Sequence, residues 1–196
     1  HLLVTLFLAG QSFAAAPAPK AGQETKAADS QDLSFSIDPD HSSVGFRIRH
    51  LVGRVPGNFA RFSGQFSGKR GDPKTWKASA VIDAASVDTG VAKRDEHLRG
   101  ADFLDTARCP DISFVSKGAF AAGKTTAKLN GELTLRCVTK PVILYLESDG
   151  TAKDPWGWLR AGVTARTKIN RKDYGIVFNK VLDSGGTLLG DEVEIT

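Results

Sequence analysis

The 196-residue chain has no methionine, two cysteines and four histidines, and these shortages narrow its chemistry before any pattern is read. His41 and His50 stand nine apart on one extended run, roughly 30 Å at 3.3–3.4 Å per residue, so they cannot share an ion. Either would have only His97 and a stray carboxylate as company, so no metal site is expected. There is no Gly-x-Ser-x-Gly elbow, no phosphate-cradling glycine loop and no Cys-x-x-Cys pair, which leaves hydrolase, nucleotide and redox readings without an anchor. Ser42 adjoins His41, but neighbours on a strand point to opposite faces. No catalytic residue, catalytic cofactor or enzyme is expected. The formal charge of +4 is too small and too dispersed for nucleic acid, yet it would tolerate an anionic head group or a transient contact with a membrane surface.

Long apolar runs are also missing, with one exception. Residues 2–9, LLVTLFLA, followed by small residues through Ala16, read as a truncated secretory signal over 1–16, too short for a spanning helix. Residues 17–32 are rich in Ala, Pro and small polar groups and read as a flexible linker. The mature domain, 33–196, is therefore expected to be periplasmic or secreted.

From Leu33 onward the text is short alternating runs broken by Gly, Pro, Asn and Asp. Val44, Phe46, Ile48 and His50 share one face of a period-2 run, and Phe62 and Phe66 flank Gly64 in another. Ala78, Ala80 and Ile82 form a third, Ile112 and Phe114 a fourth, and Leu129, Leu133 and Leu135 a fifth. Val142 to Leu146 is apolar on both faces, which predicts a strand covered on both sides. Val163, Ala165 and Ile169, then Ile176–Phe178 and Val193 with Ile195, complete eight or nine strands. Such spacing predicts an all-β sandwich or barrel. Residues 91–99 interrupt it with helix formers, an Asp88-Thr89 cap candidate, Gly100 as a stop and an Asp95–Arg99 pair at i,i+4. Asp95 is also placed to hold His97.

The cysteines flank a predicted hairpin that turns about Ala121-Ala122-Gly123, with Phe114 opposite Gly131. Cys109 then faces Arg136, and strict alternation sets the two sulfurs on opposite faces. A bulge beside Pro110 would bring Cys109 and Cys137 together, and an oxidising compartment favours the bond.

Taken in order, Ile37-Asp38-Pro39-Asp40-His41-Ser42, Phe62-Ser63-Gly64-Gln65-Phe66, Ala85-Ser86-Val87-Asp88-Thr89, Arg94-Asp95-Glu96-His97-Leu98-Arg99, Pro110-Asp111-Ile112-Ser113-Phe114 and Val138-Thr139-Lys140-Pro141-Val142 resemble the YceI-like family of exported polyisoprenoid-binding proteins. The resemblance runs through nearly all of 33–196. It implies a lipocalin-like antiparallel barrel of about eight strands with a short inserted helix, and a lumen that takes an isoprenoid or quinone-type lipid without catalysis. Val44, Phe46, Ile48, Phe62, Ile82, Phe114, Leu133, Leu135, Leu144 and Val163 would line that lumen, with a head group near His50, Arg94 and His97. Phe46→Asp or Leu135→Asp should then reduce lipid retention more than folding. Cys137 stands where the family usually has Gly and Cys109 where it often has an aromatic residue, a paired change that fits a disulfide. The alternative is a filled, ligand-free β-domain acting in envelope stress or protein–protein interaction. A barrel edge or the covering helix is where a homodimer would form.

Overall fold

The computed structural model describes residues 32–183 and 185–196. The expected export segment and linker lie outside the described residues, apart from Asp32. Eleven strands are present among the described residues: β1 (Asp32–Ser36), β2 (Val44–His50), β3 (Gly53–Phe59), β4 (Phe62–Lys69), β5 (Asp72–Asp83), β6 (Val87–Asp88), β7 (Asp111–Ala121), β8 (Thr126–Leu135), β9 (Val138–Lys153), β10 (Leu159–Asn170) and β11 (Leu189–Ile195). One helix, α1 (Ala92–Arg99), sits between β6 and β7. The strands make a single antiparallel sheet in the order β1-β4-β5-β7-β8-β9-β10-β11-β2-β3-β6. The expected all-β architecture with one inserted helix is what the chain forms, with more strands than the eight or nine foreseen.

The sheet curls because its inner face is apolar and its outer face is not. In β8 the buried positions are Ala127, Leu129, Gly131, Leu133 and Leu135, each separated by a more accessible neighbour. In β4 the half-buried positions are Phe62, Gly64, Phe66 and Gly68. Two clusters result. One joins Ala84, Ile112, Leu133, Leu135, Ile169, Tyr174 and Ile176, with Phe103 and Leu104 packed on it. The other is smaller: Phe114, Ala119 and Leu129, with Trp76, Leu144 and Leu146 against them.

Closure is complete at one end only. The two-residue link from β3 to β4 brings the sheet's two flanks together there: Ala60 N–H donates to Ser86 O, and Arg61 N–H to Ser86 Oγ at 3.1 Å. The segment 84–106, including α1, crosses this capped end. Lower down the wall is open. β10 pairs with β9 through Leu159–Arg166 but with β11 only through Thr167–Asn170. Among the described residues its first eight therefore carry no ladder on the edge turned away from β9.

Three local readings change. Ile176–Phe178 is not a strand, because the buried Arg171 guanidinium takes the carbonyls of both Ile176 and Phe178. Ile143 and Tyr145 are 41% and 53% exposed, so the middle of β9 is covered on one face, not two. In the β7–β8 hairpin Phe114 lies opposite Leu133, two residues from the expected register, because an irregularity between Ser116 and Gly118 and a turn shifted towards Thr125 move the pairing.

Candidate functional site

Below the capped end the inner face forms an apolar trough. Phe66, Trp76, Ala78, Leu144 and Leu146 point into it and remain only half-buried. Phe35 of β1 extends the row, its ring 6.4 Å from that of Phe66, which in turn meets Trp76 edge-on at 5.5 Å. Glycines keep this wall flat. A methyl group at Gly131 would lie 2.5 Å from the Phe114 ring, and one at Gly57 would collide with Phe46. The Phe114 and Phe46 rings therefore pack over the glycine of the neighbouring strand.

Most residues expected to line a lumen do occupy inner positions. Val44, Phe46, Ile48, Phe62, Ile82 and Leu144 are half-buried, and Phe46 stacks at 5.7 Å on Phe59. Phe114, Leu133 and Leu135 are buried at 7%, 8% and 8% exposure, so they serve as packed core. Leu135→Asp would thus unfold the protein before it informed on lipid, contrary to expectation. Val163 is 57% exposed. It shares the inward alternation of Ala165 and Thr167, but among the described residues no strand faces it across the open half, so it marks the rim. Phe35, Phe66, Trp76, Ala78 and Leu146 were not foreseen as lining residues. The alternation through Phe62-Gly64-Phe66 and Trp76-Ala78-Ala80 is the signal that could have found them.

A second, open concavity of about 1,740 Å³ borders the outward side chains Arg47, Lys117, Tyr145, Arg166, Lys168 and Glu194. Of the ten expected lumen residues only Phe46 touches it. Part of its charge is paired within the lining, as in Lys117–Glu132 at 3.1 Å and Lys168–Glu194 at 3.6 Å.

The polar residues around α1 do structural work. Asp95 is 6% exposed and accepts from the Thr89 backbone N–H at 2.9 Å and from Thr89 Oγ1 at 2.5 Å. Arg94 Nε donates to Thr89 Oγ1 and its Nη2 to Thr89 O. Arg99 donates to the carbonyls of Ala85 and Val87 at 2.7 and 3.0 Å. The expected Asp95–Arg99 pair and Asp95–His97 contact are thus replaced. His97 instead pairs with Asp102 at 3.0 Å and stands edge-on to Phe103 and Phe178, at 4.9 and 5.0 Å. His50, at the far end of β2 opposite Gly53 and Leu189, is joined to neither Arg94 nor His97 by a hydrogen bond or ring contact. The three expected head-group residues share no hydrogen bond or ring contact with one another. His41 Nδ1 lies 2.9 Å from Asp38 Oδ2, and this bond is the main reason the Asp38 carboxyl is held below its ordinary pKa.

Cys109 and Cys137 are disulfide-bonded with Cα atoms 5.5 Å apart. What brings them together is not a bulge by Pro110 but the β8–β9 turn, where Arg136 and Cys137 both take left-handed φ, 51° and 59°. Among the described residues no group of three His, Cys, Asp or Glu could hold a metal ion, and no helix is long and apolar enough to cross a membrane.

The match to a family model for the YceI-like domain spans residues 35–196. A UPF0312 protein of Azotobacter vinelandii is 40% identical over 146 residues, covering 74% of this chain and 76% of the relative. A UPF0312 protein of Shewanella oneidensis is 37% identical over 151 residues, covering 76% and 79%. Among solved structures, the Campylobacter jejuni YceI protein is 31% identical with a TM-score of 0.60, covering 82% of this chain and 95% of that one. Burkholderia cenocepacia BcnA superposes with a TM-score of 0.70 at 23% identity, covering 81% and 95%. A polyisoprenoid-binding domain from Saccharophagus degradans shares the fold at 14% identity and a TM-score of 0.53, covering 78% and 88%.

Proposed function

The chain belongs to the YceI-like domain family, and from that premise we propose that it is a non-catalytic carrier, exported from the cytoplasm, whose trough holds the tail of an isoprenoid lipid. One observation carries the reading: the inner face of the open half is apolar along its length, yet Phe66, Trp76, Ala78, Leu144 and Leu146 stay half-buried. A domain that fills its own barrel would pack such side chains to exclusion of water. Each buried CH₂ contributes about 0.8 kcal/mol, so one five-carbon isoprene unit laid along this wall would contribute roughly 3–4 kcal/mol as an upper estimate. A branched hydrocarbon needs no polar partner, and the trough offers it almost none. The fold shared with a polyisoprenoid-binding domain is in keeping with this. The apolar cluster of the capped end stands between the trough and His97, so recognition rests on the tail, and polyprenyl and quinone-type lipids both fit.

The test is lipid uptake by two variants. Val163→Asp puts a charge at an exposed inward rim position and should leave the unfolding midpoint near that of the parent while lowering polyprenol or ubiquinone uptake. Leu146→Asp should lower uptake further. Full uptake by both variants, each folded, would contradict the placement of the ligand.

A further inference from the structure

The open end of the trough is built from three hairpin turns, because β4–β5, β7–β8 and β9–β10 all reverse on the side away from the cap. Over 69–74, 120–126 and 153–160 these turns carry six basic side chains, Lys69, Arg70, Lys74, Lys124, Lys153 and Arg160, against Asp72 and Asp154, with Asp38 3.9 Å from Arg160 and Asp32 opposite Lys69. That leaves an excess of two basic side chains at this end. The segment 84–110 at the capped end instead has five acidic and four basic residues. Charge is therefore polarised along the barrel, positive where the trough opens.

Two aromatic rings project from the same end. Trp156 is 80% exposed at the tip of the β9–β10 turn, and Phe120 is 57% exposed beside the β7–β8 turn. Trp156 is held there. Asp154 Oδ1 accepts from the backbone N–H groups of Trp156 and Trp158 at 3.0 and 2.9 Å, and Oδ2 accepts from Arg160 Nε at 3.0 Å. Burial works against the Asp154 charge, but these bonds outweigh it and keep the carboxyl below its ordinary pKa. This acid is thus committed to shaping the turn, and Asp72 Oδ1 accepts from Lys74 N–H within its own turn. An indole presented to solvent among lysines and arginines matches the water–hydrocarbon boundary of an anionic bilayer, where Trp partitions and basic side chains find phosphate.

We propose that the hairpin-turn end docks on an anionic phospholipid surface through Trp156, Phe120 and the surrounding basic side chains, which points the open trough at the membrane. The proposal deepens the carrier reading and rests on it for its purpose: a tail too apolar for water would pass between bilayer and trough without crossing solvent.

The experiment is co-sedimentation of the full chain with large vesicles of phosphatidylglycerol and phosphatidylcholine, against vesicles of phosphatidylcholine alone. The parent should bind the mixed vesicles and lose binding as salt is raised. Trp156→Ala should weaken binding severalfold, and Arg70→Glu with Lys124→Glu and Lys153→Glu at least about fivefold per site. Lys93→Glu, on α1 at the capped end, should bind as the parent does. Sedimentation equal across all these variants, an equal affinity for uncharged vesicles, or no binding at all would overturn the proposal, as would an envelope protein capturing this end in place of lipid. Isoprenoid uptake from detergent, measured on the parent protein alongside its vesicle binding, separates the two readings. Normal uptake without vesicle binding would remove the docking surface and keep the carrier, and vesicle binding without uptake would do the reverse.

Discussion

Arg171 is 2% exposed, and its guanidinium is answered by the carbonyls of Gly190, Ile176 and Phe178 and by Asp191 Oδ1 at 3.1 Å. Burial draws its pKa down while Asp191 opposes the shift. Removing a buried, fully bonded charge centre typically costs about 3–5 kcal/mol. Arg171→Ala should lose that much in urea unfolding, and Arg171→Lys should not recover it, since one ammonium cannot reach acceptors spread around a planar fork. Asp191 is held below its ordinary pKa mainly by the Lys172 hydrogen bond, as Asp83 is by Arg61. A depressed carboxylate stabilises the fold above its unfolded pKa and ceases to as pH falls through the folded one. Amide exchange over 176–183 should therefore rise only in acid, as pH falls through and below the ordinary carboxylate range. At the β8–β9 turn, left-handed φ at Arg136 and Cys137 costs of order 1–2 kcal/mol per residue. The disulfide and two Arg136 hydrogen bonds, to the carbonyls of Gly175 and Ala101, offset it. With the bond removed by Cys109→Ala, Cys137→Gly should be more stable than Cys137→Ala by about 1 kcal/mol, read from the shift in urea midpoint.

At the scale of elements, the strands were legible because one face is buried and alternation of period two records that burial. β3 was not, since Gly53–Phe59 carries two glycines and Pro56. It tolerates them because, beyond β2, it is paired only at Asn58 and Phe59. The extent of α1 was legible from its helix formers and Gly100. Its partners were not: the i,i+4 spacing of Asp95 and Arg99 is visible in sequence, while the carbonyls of Ala85 and Val87 that claim Arg99 are set by the chain's path across the barrel end. The helix presents no apolar face to hold it, so the Thr89–Asp95–Arg94 bonds fix the cap. Asp95→Ala strands buried donors and should cost about 1–3 kcal/mol, with exchange protection lost first over 84–106. The disulfide was readable as a pairing, but the left-handed turn that permits it was not, because Arg-Cys does not look like a two-residue turn.

The whole molecule is a sheet closed at one end and open along its other half, and that asymmetry is where sequence reasoning stopped. Periodicity marks which residues face inward but cannot say where a partner strand ends. Val163 and Leu135 therefore looked equivalent, although one is rim and the other core. The distinction bears on the proposed function: the packed end supplies stability, and the open end is where the proposed guest would lie. The account's central claim is that this surface holds an isoprenoid tail. The most direct measurement is organic extraction of the protein purified from its source cells without detergent, followed by mass spectrometry of the lipids against protein amount. The account predicts an isoprenoid or isoprenoid quinone in near-stoichiometric yield, falling in Val163→Asp. An extract without isoprenoid, from protein that also takes up neither polyprenol nor ubiquinone when they are supplied, would contradict it.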